Sequence, residues 1–192
     1  MSTQTITYVT PDEYLAAERQ TETKNEYLDG VVYEATGASY RHTLLIGALA
    51  AEIGTQLKTQ AYSALISLMK VRLPDSHGFF YPDVSVIDDN EVQFHDEQTD
   101  VILNPVLVIE VLSPSTEAFD RGAKFQAYQT LDSLKEYVLV AQDKPIVEQY
   151  VRQPDGKWTY TAVAGLEGSL ALPSVECTLN LSAVYDKVDL DS

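Results

Sequence analysis

Apolar residues recur along this chain at two spacings, and the alternation between them predicts a mixed α/β order. Thr10-Pro11-Asp12-Glu13 has a capping-box spacing with proline at the first helical position, so a helix is expected to run from there to about Arg19. Asn25–Leu28 and Val31–Ala35 flank Asp29-Gly30, a pair that favours a two-residue hairpin turn. Ser39 caps a long stretch whose Leu45, Leu49, Ile53 and Leu57 return at helical spacing. Tyr62–Leu73 alternates and reads as one or two strands, and Phe79–Ile87 reads as another. Asp88–Asp100 is acidic and polar, hence an exposed loop. Val106–Leu112 is almost wholly apolar, as in a central strand covered on both faces. A helix over about Glu117–Leu131, a strand over Glu136–Ala141, and a hairpin of Ile146–Arg152 with Trp158–Ala164 around Pro154-Asp155-Gly156 follow. A short helix near Leu181–Tyr185 closes the pattern. The expected fold class is α/β (α+β): one mixed sheet flanked by helices, with additional β-hairpins, in a single domain spanning residues 1–192.

Composition narrows this only a little. Hydrophobic residues make up 45% and charged residues 22% of 192, which is ordinary for a globular protein. Cys177 is the sole cysteine, so no intrachain disulfide forms and nothing points to secretion. The first residues lack the basic and apolar segments of a signal peptide, and no apolar run is long enough to span a bilayer, so the expected location is the cytoplasm. Charge changes the picture more. The net charge is −16, from 13 basic and 29 acidic residues, which argues against a broad surface for gripping phosphates. Between Arg72 and Arg121 there is no Lys or Arg, while acids are frequent there. Most of these acids suit a solvated surface, but a carboxylate cluster can also attract a divalent cation.

Two acids are out of place. Glu110 interrupts Val106-Leu107-Val108-Ile109-Glu110-Val111-Leu112, and a carboxylate in such a strand is costly unless paired with a cation, Arg or Lys. The competing reading is a strand-end Glu in solvent. Asp83 follows Tyr81-Pro82 at the head of another apolar strand, where a turn Asp is the competing reading. Two acids on two strands can converge on one cation with oxygen ligands. Lys124 lies on the next helix, one turn after Asp120 and one before Tyr128, where it is either a solvated surface lysine or aimed at the strand ends.

The strings Tyr81-Pro82-Asp83-Val84, Val108-Ile109-Glu110-Val111-Leu112-Ser113-Pro114-Ser115-Thr116 and Asp120-Arg121-Gly122-Ala123-Lys124, with Tyr128, resemble the Uma family of predicted restriction endonucleases, a bacterial group assigned to the PD-(D/E)XK nuclease superfamily. Asn25-Glu26-Tyr27-Leu28-Asp29-Gly30, His42 and Leu134–Val140 extend the resemblance, which covers about residues 10–155. The Pro-Asp pair is weakly specific; the Glu-Val-Leu-Ser-Pro-Ser-Thr string with its downstream Lys and Tyr is much more so. One departure matters. The superfamily pattern places a Lys two residues after the Glu, where this chain has Leu112, and the resemblance implies that Lys124 takes that place from the helix.

The resemblance implies a restriction-endonuclease-like fold and a metal-dependent endonuclease hydrolysing DNA phosphodiesters. Asp83 and Glu110 would bind Mg²⁺ or Mn²⁺ with a main-chain carbonyl near Val111. Glu26 would be a further ligand or position a water, and Lys124 would stabilise developing negative charge. His42 and Tyr128 are further candidates, against the plainer readings of a helix-surface His and a core Tyr. Ser113 and Ser115 read as strand-end and helix-cap residues, since no His lies near them in sequence. The expected partner is nucleic acid, DNA before RNA, and a homodimer would lengthen the groove. The alternative is a catalytically silent nuclease fold acting as a binding or regulatory module, which the acidic balance favours. Nothing in the segment after about residue 154 points to chemistry.

Overall fold

A computed structural model describes residues 8–34 and 38–190. Ala35, the last residue of the expected second strand, and the first seven residues, read above as lacking a signal peptide, lie outside the described residues. Helix α1 (Pro11–Glu18) begins as its sequence predicts: the Thr10 side chain accepts from the Glu13 N–H at 3.3 Å, and the Glu13 carboxylate accepts from the Thr10 N–H at 2.9 Å. β1 (Asn25–Leu28) and β2 (Val31–Glu34) form the expected hairpin, whose turn residues Asp29 and Gly30 have φ of 48° and 88°. Helix α2 (Tyr40–Leu57) is capped by Ser39, whose hydroxyl accepts from the His42 N–H at 3.1 Å.

Tyr62–Leu73, read as one or two strands, forms two, and Phe79–Ile87, read as one, divides. Tyr62–Leu73 contains β3 (Tyr62–Ile66) and β4 (Lys70–Arg72), and Phe79–Ile87 falls within β5 (Gly78–Phe80) and β6 (Val84–Asp88). β7 (Val101–Ile102), β8 (Leu107–Val111) and β9 (Glu136–Val140) follow. The hairpin β10 (Ile146–Arg152)–β11 (Trp158–Ala164) falls where the pattern placed it; a second hairpin, β12 (Ser169–Leu172)–β13 (Cys177–Asn180), was not foreseen. The strands form a five-stranded sheet, order β2-β1-β5-β4-β7, a six-stranded sheet, order β11-β10-β9-β8-β6-β3, and the β12–β13 pair. The six-stranded sheet is mixed because β8 and β9 run parallel among antiparallel neighbours.

The split strands explain the architecture. β3 and β6 belong to the six-stranded sheet, β4 and β5 to the five-stranded one, so between β3 and β6 the chain crosses between sheets twice, side by side. The Ser67 N–H donates to the Asp83 carbonyl at 3.1 Å and ties the two crossings together. Alternation along β8 then sends Leu107, Ile109 and Val111 to a core shared with α2 and the C-terminal hairpin. Val108 faces a second core with Phe125, Tyr128, Tyr137 and Leu139. The segment after residue 154 thus has a structural task, covering α2 and the sheet with Leu170, Leu172, Leu179, Leu181 and Val184. Among the described residues no helix is long and apolar enough to cross a membrane.

The acidic loop before β7 is less solvated than its composition suggests. Arg19 donates to Asp100 at 2.6 and 3.1 Å and to Asp96 at 2.7 Å, and Lys70 meets Asp100 at 2.9 Å. The Arg19 guanidinium holds the Asp100 carboxyl well below the usual carboxylate range; partial burial opposes this and Lys70 adds to it. A depressed folded pKa contributes stability that is present above the unfolded value, about 3.9, and lost as pH falls through the folded one. Asp100→Asn is expected to cost about 1–2 kcal/mol at pH 7. In urea titrations the deficit shrinks as pH falls below about 4. A deficit undiminished at pH 3 means that the charge is not its source.

Candidate active site

The last residues of β8 and the helix after it build one end of the six-stranded sheet. Glu110 shares parity with Val108, so its side chain lies on the sheet face that the following helix covers. That helix (residues 117–128) is not uniformly α-helical. Glu117–Phe119 and Phe125–Tyr128 are separated by a π turn over Asp120–Lys124. The widened turn is of a kind often found at functional sites. It leaves Asp120 and Lys124 facing each other, with Lys124 Nζ 3.6 Å from Asp120 Oδ1.

Lys124 is 4% exposed, with its ammonium 2.9 Å from both Glu110 Oε1 and Glu26 Oε1. Glu26 comes from β1, in the other sheet, and the same oxygen accepts from the Tyr81 N–H at 3.0 Å. Tyr128 donates to Glu110 Oε1 at 3.4 Å. It is fully buried, packs on Phe80 and Tyr137, and does not line the cavity described below. Tyr128 therefore combines its two readings, a core residue whose hydroxyl faces a candidate acid.

Asp83 stands on the neighbouring crossover. One carboxylate oxygen accepts from the Val111 N–H at 2.8 Å, and the other lies 3.0 Å from His42 Nε2. His42 and Asp83 are each only 15% exposed at the side chain, so His42 is no mere surface residue of α2. Capping by Ser39 sets where α2 begins, and hence puts His42 in its first turn over the strand ends.

These groups line a cavity of about 450 Å³ with Glu26, His42, Asp83, Glu110, Val111, Asp120 and Lys124 in its wall. Tyr33, Tyr81, Phe119, Ser39, Ser113 and Gln142 also contribute. The five acid–base candidates other than Tyr128 are thus brought together, along with the Val111 main chain. Sequence reasoning left out Asp120 as a site member. The signal for it was present, since Asp120 and Lys124 are four residues apart. Tyr81, whose N–H fixes Glu26, and Phe119 gave no comparable signal. Ser113 behaves as a strand-end residue: its hydroxyl lies 2.9 Å from Thr116 Oγ1 and accepts from the Thr116 N–H at 3.2 Å.

Charge in this cavity is unbalanced. Burial pushes the Glu110 carboxyl well up; the Lys124 ammonium counteracts this, and Asp120, Asp83 and Glu26 add to it. Burial alone would depress the Lys124 ammonium, but Glu110 and Glu26 outweigh it and raise the lysine well above its ordinary value. Asp120 is likewise raised by burial, with Lys124 opposing. Three carboxylates thus surround one ammonium, with Asp83 in the same cavity wall, and the excess negative charge favours either bound protons or a further cation.

Comparison with known proteins places the chain in a family and a fold. The model of the Uma2 family, described as "Putative restriction endonuclease", matches residues 11–183. The uncharacterized protein sll1609 of Synechocystis sp. is 35% identical over 161 residues, covering 84% of this chain and 90% of that protein. A second uncharacterized protein of that organism, slr1290, is 33% identical over 180 residues, 92% of this chain and 91% of its own length. The fold is shared with a crystal structure titled as a putative nuclease belonging to DUF820 from Anabaena variabilis. Its TM-score is 0.76 at 19% identity, over 93% of this chain and 98% of that one. With the family model covering nearly all of the described residues, the chain belongs to the Uma2 family of restriction-endonuclease-like proteins.

Proposed function

We propose that this protein hydrolyses phosphodiester bonds of nucleic acid, DNA before RNA, with Mg²⁺ or Mn²⁺ as cofactor. The observation that carries the reading is Lys124: a buried ammonium held 2.9 Å from two carboxylates, on the wall of a cavity that also contains Asp83. A purely structural lysine would not need to be placed there at the cost of desolvation.

The donor set suits a hard divalent cation. Asp83 and Glu110 offer carboxylate oxygens, with the main chain at Val111 as a further donor, and the local excess of negative charge is what a cation would relieve. Among the described residues no three or more His, Cys, Asp or Glu side chains form a ready metal cage. Mg²⁺ is commonly held by one or two carboxylates and keeps several waters, so two acids are enough for it. When bound, the cation supplies positive charge to the scissile phosphate and acidifies water beside it.

The chain's own residues do the rest. The Val111 N–H and His42 fix both oxygens of Asp83 and so set its direction. Tyr128 donates to Glu110 and keeps its proton, since burial, then Glu110, push its hydroxyl well above the ordinary tyrosine value. Lys124 presents a fixed positive charge to the phosphate oxygens, and Glu26 and Glu110 hold it in the ammonium form. Glu26 also accepts from the Tyr81 N–H, which couples the five-stranded sheet to the site. The second reading, a silent nuclease fold used for binding, draws on the acidic wall and the net charge of −16.

Turnover separates the two. Purified protein with plasmid, single-stranded DNA and RNA is expected to cleave with Mg²⁺ or Mn²⁺ and to stop in EDTA. Asp83→Asn, Glu110→Gln and Lys124→Ala, each checked for folding by circular dichroism, are expected to lose about 100-fold or more. Equal cleavage by wild type and all three variants rejects the site, and no cleavage or metal binding at all favours the silent reading. His42→Ala is expected to weaken cation affinity about 10- to 100-fold by calorimetry, because it positions Asp83.

Removing Lys124 also has a signed effect on stability. Lys124→Ala leaves Glu110, Glu26 and Asp120 without their ammonium and is expected to cost about 3–5 kcal/mol at pH 7.5. Glu110 has a raised folded pKa, and loss of Lys124 raises it further. The folded variant then binds protons more tightly than the unfolded chain, whose Glu pKa is about 4.3, so the deficit narrows on acidification toward pH 5. Urea midpoints at the two pH values check this; a deficit that widens in acid contradicts it.

A further inference from the structure

The cavity has a wall that the hydrolytic reading does not use. Tyr33, on β2, and Phe119, at the start of the π turn, bring their rings to 5.1 Å between centroids at 31°. Tyr33 is 40% exposed, large for an aromatic ring beside a polar cavity. Both rings are tied to site acids by the backbone. Tyr33 is the direct cross-strand partner of Glu26, so the two side chains share a sheet face and stand about 5 Å apart at their Cβ atoms. Phe119 immediately precedes Asp120 and is anchored from behind by Phe80, 6.1 Å away.

Charge supplies the second half of the argument. A duplex is normally gripped through rows of Lys and Arg on its phosphates. Among the described residues, Lys124 is the only Lys or Arg in the cavity wall, against the carboxylates of Glu26, Glu34, Asp83, Glu110 and Asp120. Basic side chains therefore supply little phosphate affinity here. Stacking can supply affinity instead, because it acts on an uncharged π-face and tolerates any base. The volume of about 450 Å³ fits a nucleotide-sized group.

We propose that the Tyr33–Phe119 wall stacks an unpaired nucleobase, so that the site takes single-stranded, frayed or extruded nucleotides rather than intact duplex. This rests on the nucleic-acid reading given above and names its substrate class. Because Tyr33 pairs directly with Glu26, a base on Tyr33 lies next to the acid that holds Lys124.

The test uses the full chain carrying Asp83→Asn, with Mg²⁺ present, to read binding without turnover. Oligonucleotides containing 2-aminopurine are titrated as single-stranded DNA, single-stranded RNA and duplex DNA, and quenching of the fluorescent base reports stacking. Single strands are expected to bind at least about 10-fold tighter than duplex, with quenching. Tyr33→Ala in that background weakens single-strand binding about 5- to 100-fold and removes the quench, while Tyr33→Phe retains both. The tighter of the DNA and RNA arms identifies the sugar. In the otherwise wild-type chain, Tyr33→Ala raises KM more than it lowers kcat. Duplex bound as well as single strands, or a Tyr33→Ala protein with unchanged affinity and quench, overturns the proposal even where hydrolysis is observed. Tyr33-dependent quenching without hydrolysis under any metal overturns the hydrolytic reading and leaves the base-stacking wall standing.

Discussion

The arrangement of this end of the molecule depends on one ammonium taken out of water. Burying Lys124 costs several kcal/mol in desolvation, and only close carboxylates offset that. They come from three elements that the chain brings together: Glu26 from a hairpin of one sheet, Glu110 from the central strand of the other, and Asp120 from a π turn. Each is costly to bury alone. Together they hold a charge cluster whose geometry is stiff, because every member loses its partner if another moves.

The two crossings between β3 and β6 serve this cluster. By leaving one sheet at Phe80 and entering the other at Val84, the chain places Tyr81, Pro82 and Asp83 where the sheets part. Pro82 suits such a place because it has no N–H to lose from a ladder. Tyr81 uses its N–H on Glu26, and Asp83 reaches the Val111 N–H. On the far side, the C-terminal hairpin covers α2, and α2 in turn sets His42 against Asp83. The same links that keep the sheets together thus aim the candidate site, so stability and chemistry compete for the same carboxylates.

The acidic balance of the chain reads differently at this scale. A net charge of −16 argues against a phosphate-gripping face, yet the local excess at the cavity is what a divalent cation would neutralise. Affinity for a polyanion is then expected from the cation and from the aromatic wall of Tyr33 and Phe119, and less from basic side chains. Acids outside the site have other uses. Asp96 and Asp100 clamp Arg19, and Glu136 accepts from Gln149 and Ser174 within the core.

The sequence by itself determined the local elements whose physics is local. The Thr10 box, the Asp29-Gly30 turn, the Ser39 cap and the apolar run around Glu110 each carry their signal within a few residues. Asp83 and Glu110 could be singled out because a carboxylate beside a buried-strand pattern violates that pattern. The long range decided the rest. Phe79–Ile87 reads as one strand because apolar residues stand on both sides of Tyr81-Pro82-Asp83, whereas the change of sheet is set by which neighbour each half pairs with. The burial of Lys124 against Glu110 and Glu26 and the contact of His42 with Asp83 join residues 14 to 98 positions apart in sequence. No local spacing encodes such contacts. They exist because two sheets and a helix must bury their apolar faces at once, and that packing leaves these polar groups facing one another.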